Sequence, residues 1–272
     1  MNIQELWSQG DERHLLDFGR DLATDDLPGA LFALGGASDE ERQVGRAQIE
    51  AWGRRLSAQA PTGDAEAKAL ALGHVLATEL GFKVDERPSP VGVKLQDVLV
   101  RRKGHPALLA ALYREVAAAA GIPAEVVSLP GRVLVRIGQE SPAFADPTTG
   151  QVLGEADVQA MLAELMGPAF DQAHLTGSSV AEVVATPLQY LMSHHAARGN
   201  LVELYRELGF AAALRPEQPM ARLQQAAVAE KLGAREQAVD AYRTVAHDFP
   251  NTQESVIAAH KLRMGHPPTF LQ

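Results

Sequence analysis

The sequence predicts an α+β protein that is predominantly helical, and three observations predict it. The run from Ala107 to Ala120 is small and apolar nearly all round, which is the pattern of a buried helix. Three β-rich pieces follow it at short spacing between residues 125 and 146. One buried helix followed by antiparallel strands is an α+β arrangement. The rest of the chain reads with helical periodicity, and its aromatic content of 5% with abundant alanine favours close-packed helices over a β-sandwich.

Taken in order, residues 1–87 read as helices. Ser38-Asp39-Glu40-Glu41 is a capping box that opens a helix carrying Val44, Ile49, Trp52 and Leu56. Pro61-Thr62-Gly63-Asp64 is a turn into the next helix, whose apolar side is Leu70, Leu72, Val75, Leu76 and Leu80 and whose stop is Gly81. Pro88-Ser89-Pro90 reads as a linker. Val93, Leu95, Val98 and Leu99 begin a short helix that ends in Arg101-Arg102-Lys103, a basic run read as a solvated helix end. After the break at Gly104-His105, Pro106 suits the first position of the buried helix, and Gly121-Ile122-Pro123 ends it. The strands are Glu125–Leu129, Arg132–Ile137 and Ala143–Asp146, closed by the turn Pro147-Thr148-Thr149-Gly150.

From about residue 155 the chain is helical again, and it carries a repeat. Gly199 and Gly233 lie 34 positions apart, and so do Pro216 and Pro250. That is the period of a tetratricopeptide unit, with a glycine turn between two helices and a proline ending the second. Asn251–Met264 reads as a third, shortened helix that caps the array. Leu204 stands where the second unit has the small residue Ala238.

Composition excludes several classes of function. The 272 residues contain no cysteine, so disulfides, thiolate metal sites and cysteine nucleophiles are absent. The net charge of −9, from 25 Lys+Arg against 34 Asp+Glu, supplies no cationic field for a phosphate backbone, and nucleic acid is not expected as a partner. No cationic start followed by an apolar run opens the chain, and no stretch approaches about 18 uninterrupted apolar residues. A cytoplasmic protein without membrane contact is expected.

The middle of the chain resembles a known family. Leu95-Gln96-Asp97-Val98-Leu99-Val100-Arg101-Arg102-Lys103-Gly104-His105-Pro106 leads to Leu112-Tyr113-Arg114-Glu115-Val116-Ala117 and Gly121-Ile122-Pro123. Leu129-Pro130-Gly131-Arg132-Val133-Leu134-Val135-Arg136 and Ala145-Asp146-Pro147 follow in the same order. This series resembles the SirB-type family, whose bacterial members join a transglutaminase-like domain to tetratricopeptide-like helices. The resemblance is strongest over residues 95–150. It implies a papain/transglutaminase-like core of a buried helix and a small antiparallel sheet. The implied division is a helical N-terminal region at 1–90, a core at 91–175 and tetratricopeptide-like repeats at 176–272.

Active relatives of that fold use Cys, His and Asp. The thiolate sits at the N-terminus of the buried helix, the His follows on one strand, and the Asp on the next strand orients it. Mapped here, the resemblance puts the nucleophile position at Pro106 and the base position at Arg132. Only the acid position, Asp146, is filled as in the enzymes. A guanidinium stays protonated and cannot serve as a general base. Arg132 and Asp146 are therefore expected to be neighbours across adjacent strands and to form a charge-assisted pair. Arg132 also has the alternative of binding an anion with the helix N-terminus, and Asp146 that of opening an ordinary Asp-Pro turn.

His105, beside the vacant position, reads either as a ligand or base or as a residue capping the loop. The adjacent His194 and His195 point about 100° apart on a helix and do not suit one metal ion. His247, His260 and His266 lack carboxylates at ligand spacing, and Ser128 and Ser141 lie in no nucleophile elbow. No cofactor and no metal are expected. The functional expectation is a non-catalytic interaction, scaffold or regulatory protein with an inactivated transglutaminase-like domain, which binds a protein or peptide through its C-terminal repeats. The alternative is a hydrolase or transferase that reuses the cleft through His105, Arg132 and Asp146.

Overall fold

The structure is a computed structural model and describes residues 8–59, 63–86, 89–167, 171 and 175–265. Pro61 and Thr62 of the expected turn, Pro88 of the expected linker and His266 lie outside the described residues. The fold is mostly helical with one small antiparallel sheet, as the sequence predicts. The chain forms two compact units, Asp21–Pro187 and a second made of Met1–Arg20 with Leu188–Gln272.

The larger unit begins at the end of α1 (Gln9–Ala23). Asp26 then caps α2 (Leu27–Leu34) by accepting from the Gly29 amide at 3.1 Å, and every residue of α2 is buried. The capping box at α3 (Asp39–Gln59) forms as expected: the Ser38 amide donates to Glu41 at 2.7 Å and the Glu41 amide donates to the Ser38 hydroxyl at 3.3 Å. The buried stripe of α3 is Gly45, Ile49, Trp52, Gly53 and Leu56, a helical spacing, whereas Val44 is exposed. The glycines explain that choice. A Cβ on Gly45 would meet Phe32 at 2.4 Å, and one on Gly53 would meet the Ala119 Cβ at 2.4 Å. Neighbouring helices approach closest where no side chain stands, so Val44 is turned outward.

Asp64 caps α4 (Ala65–Gly73), which continues as a π-helical turn over His74–Glu79. Leu72, Val75 and Leu76 are buried while Leu70 is exposed, and the chain leaves at Gly81 with φ +74°. β1 (Lys83–Val84) pairs in parallel with β2 (Lys103–Gly104), an element the helical reading of residues 1–87 lacks. Two residues are too short to display an alternating pattern. A 3-10 turn at Pro90–Val93 and α5 (Leu95–Arg101) lie between them.

α6 (Pro106–Ala119) is the buried helix, with Ala107 through Tyr113, Val116 and Ala117 all inside. It packs on α3 and on the sheet strands β3 (Ala124–Leu129) and β4 (Arg132–Ile137). Sheet order is β3-β4-β5-β6, with β5 at Ala143–Ala145 and β6 at Val152–Gly154, every neighbour antiparallel. The β3–β4 hairpin closes through Pro130-Gly131, where Gly131 takes φ +71°, a conformation glycine adopts without a Cβ clash. β6 is a strand the sequence pattern does not reveal, again because it has three residues. Val127, Leu134 and Phe144 of the sheet form a core with Val158 and Leu162 of α7 (Glu155–Met166). α8 (Val180–Arg198) then leads out of this unit.

The smaller unit stacks α9 (Leu201–Leu214), α10 (Met220–Lys231), α11 (Arg235–Asp248) and α12 (Gln253–Gly265), each against the next in sequence. Its core gathers Leu223, Ala226, Ala229, Ala238, Tyr242, Val245 and Ala258. The 34-residue period is visible in the backbone. Gly199 and Gly233 have φ of +70° and +75°. The Asn200 amide donates to the His195 carbonyl at 3.0 Å, and 34 positions on the Ala234 amide donates to the Ala229 carbonyl at 2.9 Å. No helix among the described residues is long and apolar enough to cross a membrane.

Candidate functional site

The head of α6 is held from several directions. Arg102 ends α5 in the left-handed region at φ +59°, and its carbonyl accepts from the Lys83 amide at 3.0 Å. Its guanidinium lies over a pair of rings that meet edge-on, 4.5 Å from the Trp52 centroid and 4.7 Å from the Phe82 centroid. Arg102 is thus not part of a solvated helix end. Burial lowers its pKa, and the two π faces supply the attraction that a counter-ion otherwise provides. The His105 amide donates to the Gly92 carbonyl at 2.8 Å, which fixes the residue that precedes the helix.

His105 itself is the N-cap of α6. Its Nδ1 accepts from the Ala107 amide at 3.2 Å, and Pro106, which has no amide hydrogen, occupies the first helical position as expected. A ring nitrogen that accepts cannot carry a proton, so the cap requires the tautomer protonated at Nε2. Burial lowers the His105 pKa in the same direction. Of the two sequence readings for this residue, the structure places it as the cap.

Arg132 and Asp146 come together as the sequence predicts. Arg132 Nε lies 3.2 Å from Asp146 Oδ2. The β4–β5 register, with Val135 opposite Ala145, makes the two residues diagonal neighbours on adjacent strands. Asp146 is only 1% exposed, and its other oxygen, Oδ1, accepts from the Thr148 amide at 2.7 Å and the Thr149 amide at 3.3 Å. The acid therefore opens the Asp-Pro turn and meets the arginine at once. The contact to Arg132 is ionic rather than an aligned hydrogen bond, since Oδ2 has no hydrogen-bond partner. One guanidinium nitrogen of Arg132 also lies 3.0 Å from Met161 Sδ, and a third of the Arg132 side chain remains exposed.

Tyr113 is the residue that sequence reasoning passed over. It lies seven positions after Pro106 on α6, hence on the same helical face two turns further in. Its hydroxyl is buried with no hydrogen-bond partner, and its pKa is pushed up to about 12, first by burial and then by the negative charge of Asp146. The i, i+7 spacing was the available signal. Arg132 and Asp146 meet each other, and His105 caps α6.

The remaining candidates disperse. His195 Nδ1 pairs with Glu207 Oε1 at 2.6 Å, His194 Nδ1 meets Arg198 at 3.1 Å, and His247 Nδ1 meets Asp248 at 2.7 Å. Ser128 is engaged with Ser178 at 3.0 Å and Ser141 is exposed. No group of three or more His, Asp or Glu residues among the described residues is placed to hold a metal ion.

A family comparison covers the segment that carries the buried helix and the sheet. The model of the transglutaminase-like superfamily matches residues 43–189, more than half of the chain. The chain belongs to the transglutaminase-like superfamily. A UPF0162 protein of Pseudomonas aeruginosa is 35% identical over 127 residues, which is 45% of this chain and 47% of the relative. The chain thus matches about half the length of that relative. A solved structure described as menin with the binding site for the Mixed Lineage Leukemia protein aligns over 93% of this chain and 74% of its own, at 10% identity and a TM-score of 0.39.

Within the superfamily fold, the chemistry open to this site is narrow. A thioester intermediate requires a thiol, and the chain has none. The cation beside Asp146 is a guanidinium, which neither accepts a proton nor delivers one at neutral pH. The site presents a buried acid beside a cation, a capped helix N-terminus and a guanidinium one third exposed.

Proposed function

We propose that this chain is a non-catalytic scaffold of the SirB type, in which a transglutaminase-like domain keeps its shape without its chemistry and tetratricopeptide-like helices bind a protein or peptide partner. The observation that carries the reading is the substitution pattern at the catalytic positions. Proline stands at the head of the buried helix, where a thiolate would gain most from the helix N-terminus. The arginine at the base position is tied to the acid that would have oriented a histidine. The finer parts of the reading draw on the 34-residue recurrence of the glycine turns at Gly199 and Gly233 and on the concave surfaces that stacked helical hairpins present. A cytoplasmic site of action belongs to the same reading and is in keeping with the acidic composition.

The test is turnover by the purified chain. Amine incorporation into a glutamine peptide, ammonia release from it, and hydrolysis of a peptide and of an activated ester are followed beside an Asp146→Ala variant. The expected result is no rate above buffer for either protein. A rate that the wild type shows and Asp146→Ala loses would overturn the proposal and favour a cleft that works with other residues.

A further inference from the structure

We propose that the groove lined by α1, α9, α10 and α11 binds a single carboxylate of a peptide ligand through Arg222. This deepens the scaffold reading, by naming the chemistry of the segment the helical unit receives, and it rests on that reading.

Seven arginines are half-buried among the described residues: Arg42, Arg102, Arg114, Arg132, Arg136, Arg206 and Arg222. Arg42 meets Asp21, Arg114 meets Glu115, Arg132 meets Asp146, Arg136 meets Glu125, and Arg206 meets Asp11. Arg102 has the faces of Trp52 and Phe82. Arg222 alone of the seven has neither a carboxylate nor a ring, and its Nε is shut off from water without a hydrogen-bond partner. A guanidinium nitrogen buried without an acceptor costs free energy, and such an exception in a folded protein calls for a cause, of which an absent ligand is one. In a chain that carries nine negative charges in excess, acceptors were plentiful.

Arg222 lines a cavity of about 330 Å³ within the smaller unit. Leu15, Gly209, Ala212 and Ala213 supply apolar wall, and Tyr205, Gln225 and Gln237 supply polar groups. The Gln225 amide is committed to the Tyr205 carbonyl at 3.2 Å, whereas the Gln237 amide has no partner among the described residues. Burial raises the Tyr205 pKa, in keeping with a wall that excludes water. A planar guanidinium at such a wall matches a carboxylate in two parallel hydrogen bonds, with a neutral amide beside it as a further donor. Glu12 stands exposed at the same groove and repels a second negative charge. The ligand is therefore one acidic side chain or chain end, flanked by neutral residues, rather than an acidic cluster or a phosphate.

The full-length chain, labelled with ¹⁵N, is titrated with acetyl-Ala-Ala-Glu-Ala-Ala-amide, with the same peptide carrying Gln for Glu, and with sodium acetate. The expected result is a saturable shift of the Arg222 Nε–H and Gln237 side-chain resonances with the Glu peptide. Binding weakens about tenfold or more with the Gln peptide and with Arg222→Gln, the loss of one charge-assisted contact. Arg222→Lys, which keeps the charge and loses the fork, retains intermediate binding and guards against a fold defect in the first variant. No shift at Arg222, equal shifts with the Gln peptide, or an acetate affinity equal to that of the peptide would each overturn the proposal. A chain inert in the turnover assay but silent here loses only this site, whereas turnover overturns the scaffold reading whatever binds in the groove.

Discussion

Removing the Arg132 charge should destabilise the larger unit, because Asp146, only 1% exposed, is left without its cation. At 3.2 Å the direct attraction is about 5 kcal/mol for an effective dielectric constant near 20. Breaking a fully buried pair by deleting one partner typically costs about 3–5 kcal/mol. The Arg132 side chain is 33% exposed, so solvent screens the pair and the expected cost is lower, about 2–3 kcal/mol for Arg132→Gln. In a unit of this size that corresponds to a fall in Tm of roughly 5–10 °C. Asp146→Asn should cost less, because its amide oxygen still accepts from Thr148 and Thr149. Urea unfolding of both variants and of the double variant gives the coupling directly, and a positive coupling of about 1–2 kcal/mol is expected. Arg132→Gln at wild-type stability, with no coupling in the cycle, would show that the arginine does not neutralise the buried acid.

Two predictions concern pH. His105 has its folded pKa lowered by burial, so its contribution is complete above the unfolded value of about 6.5 and declines as pH falls below it. His105→Asn keeps an N-cap acceptor and loses the titration, so it should flatten this acid limb of the stability curve, and an unchanged limb would remove His105 as its source. Tyr113 has the opposite sign: its folded pKa is raised to about 12, so its contribution is complete below about 10 and declines above it, by about 1 kcal/mol near pH 11. Tyr113→Phe deletes a buried hydroxyl without a hydrogen-bond partner and should be neutral or mildly stabilising at pH 7 while protecting the fold at pH 11. A loss above about 1 kcal/mol at pH 7 would mean that the hydroxyl is bonded after all.

The sequence was most legible where a local rule acts alone. The Ser38–Glu41 box and Pro106 at the first helical position are each fixed by residues within a few positions. The Arg132–Asp146 contact was expected too, because the family resemblance put the base and acid positions on adjacent strands. What escaped depends on distant elements. The Arg102 stack needs Trp52 from α3 and Phe82 from the loop before β1. The exposure of Val44 follows from Phe32 packing over Gly45. Tyr113 reads as one more apolar residue of α6 until Asp146 is placed near it. Arg222 carries no sequence signal at all, since its distinction is the absence of a partner.

We propose that the head of α6 is the old nucleophile position, preserved in shape and occupied by proline. The reactivity of a thiol installed there by Pro106→Cys, in a chain with no other cysteine, tests it most directly. Alkylation by iodoacetamide across pH reports the thiol pKa, which lies near 8.5 for a free cysteine. A value lowered to about 7.5 or below is predicted, because the first turn of α6 still favours an anion. A thiol that titrates at or above 8.5 would contradict the account.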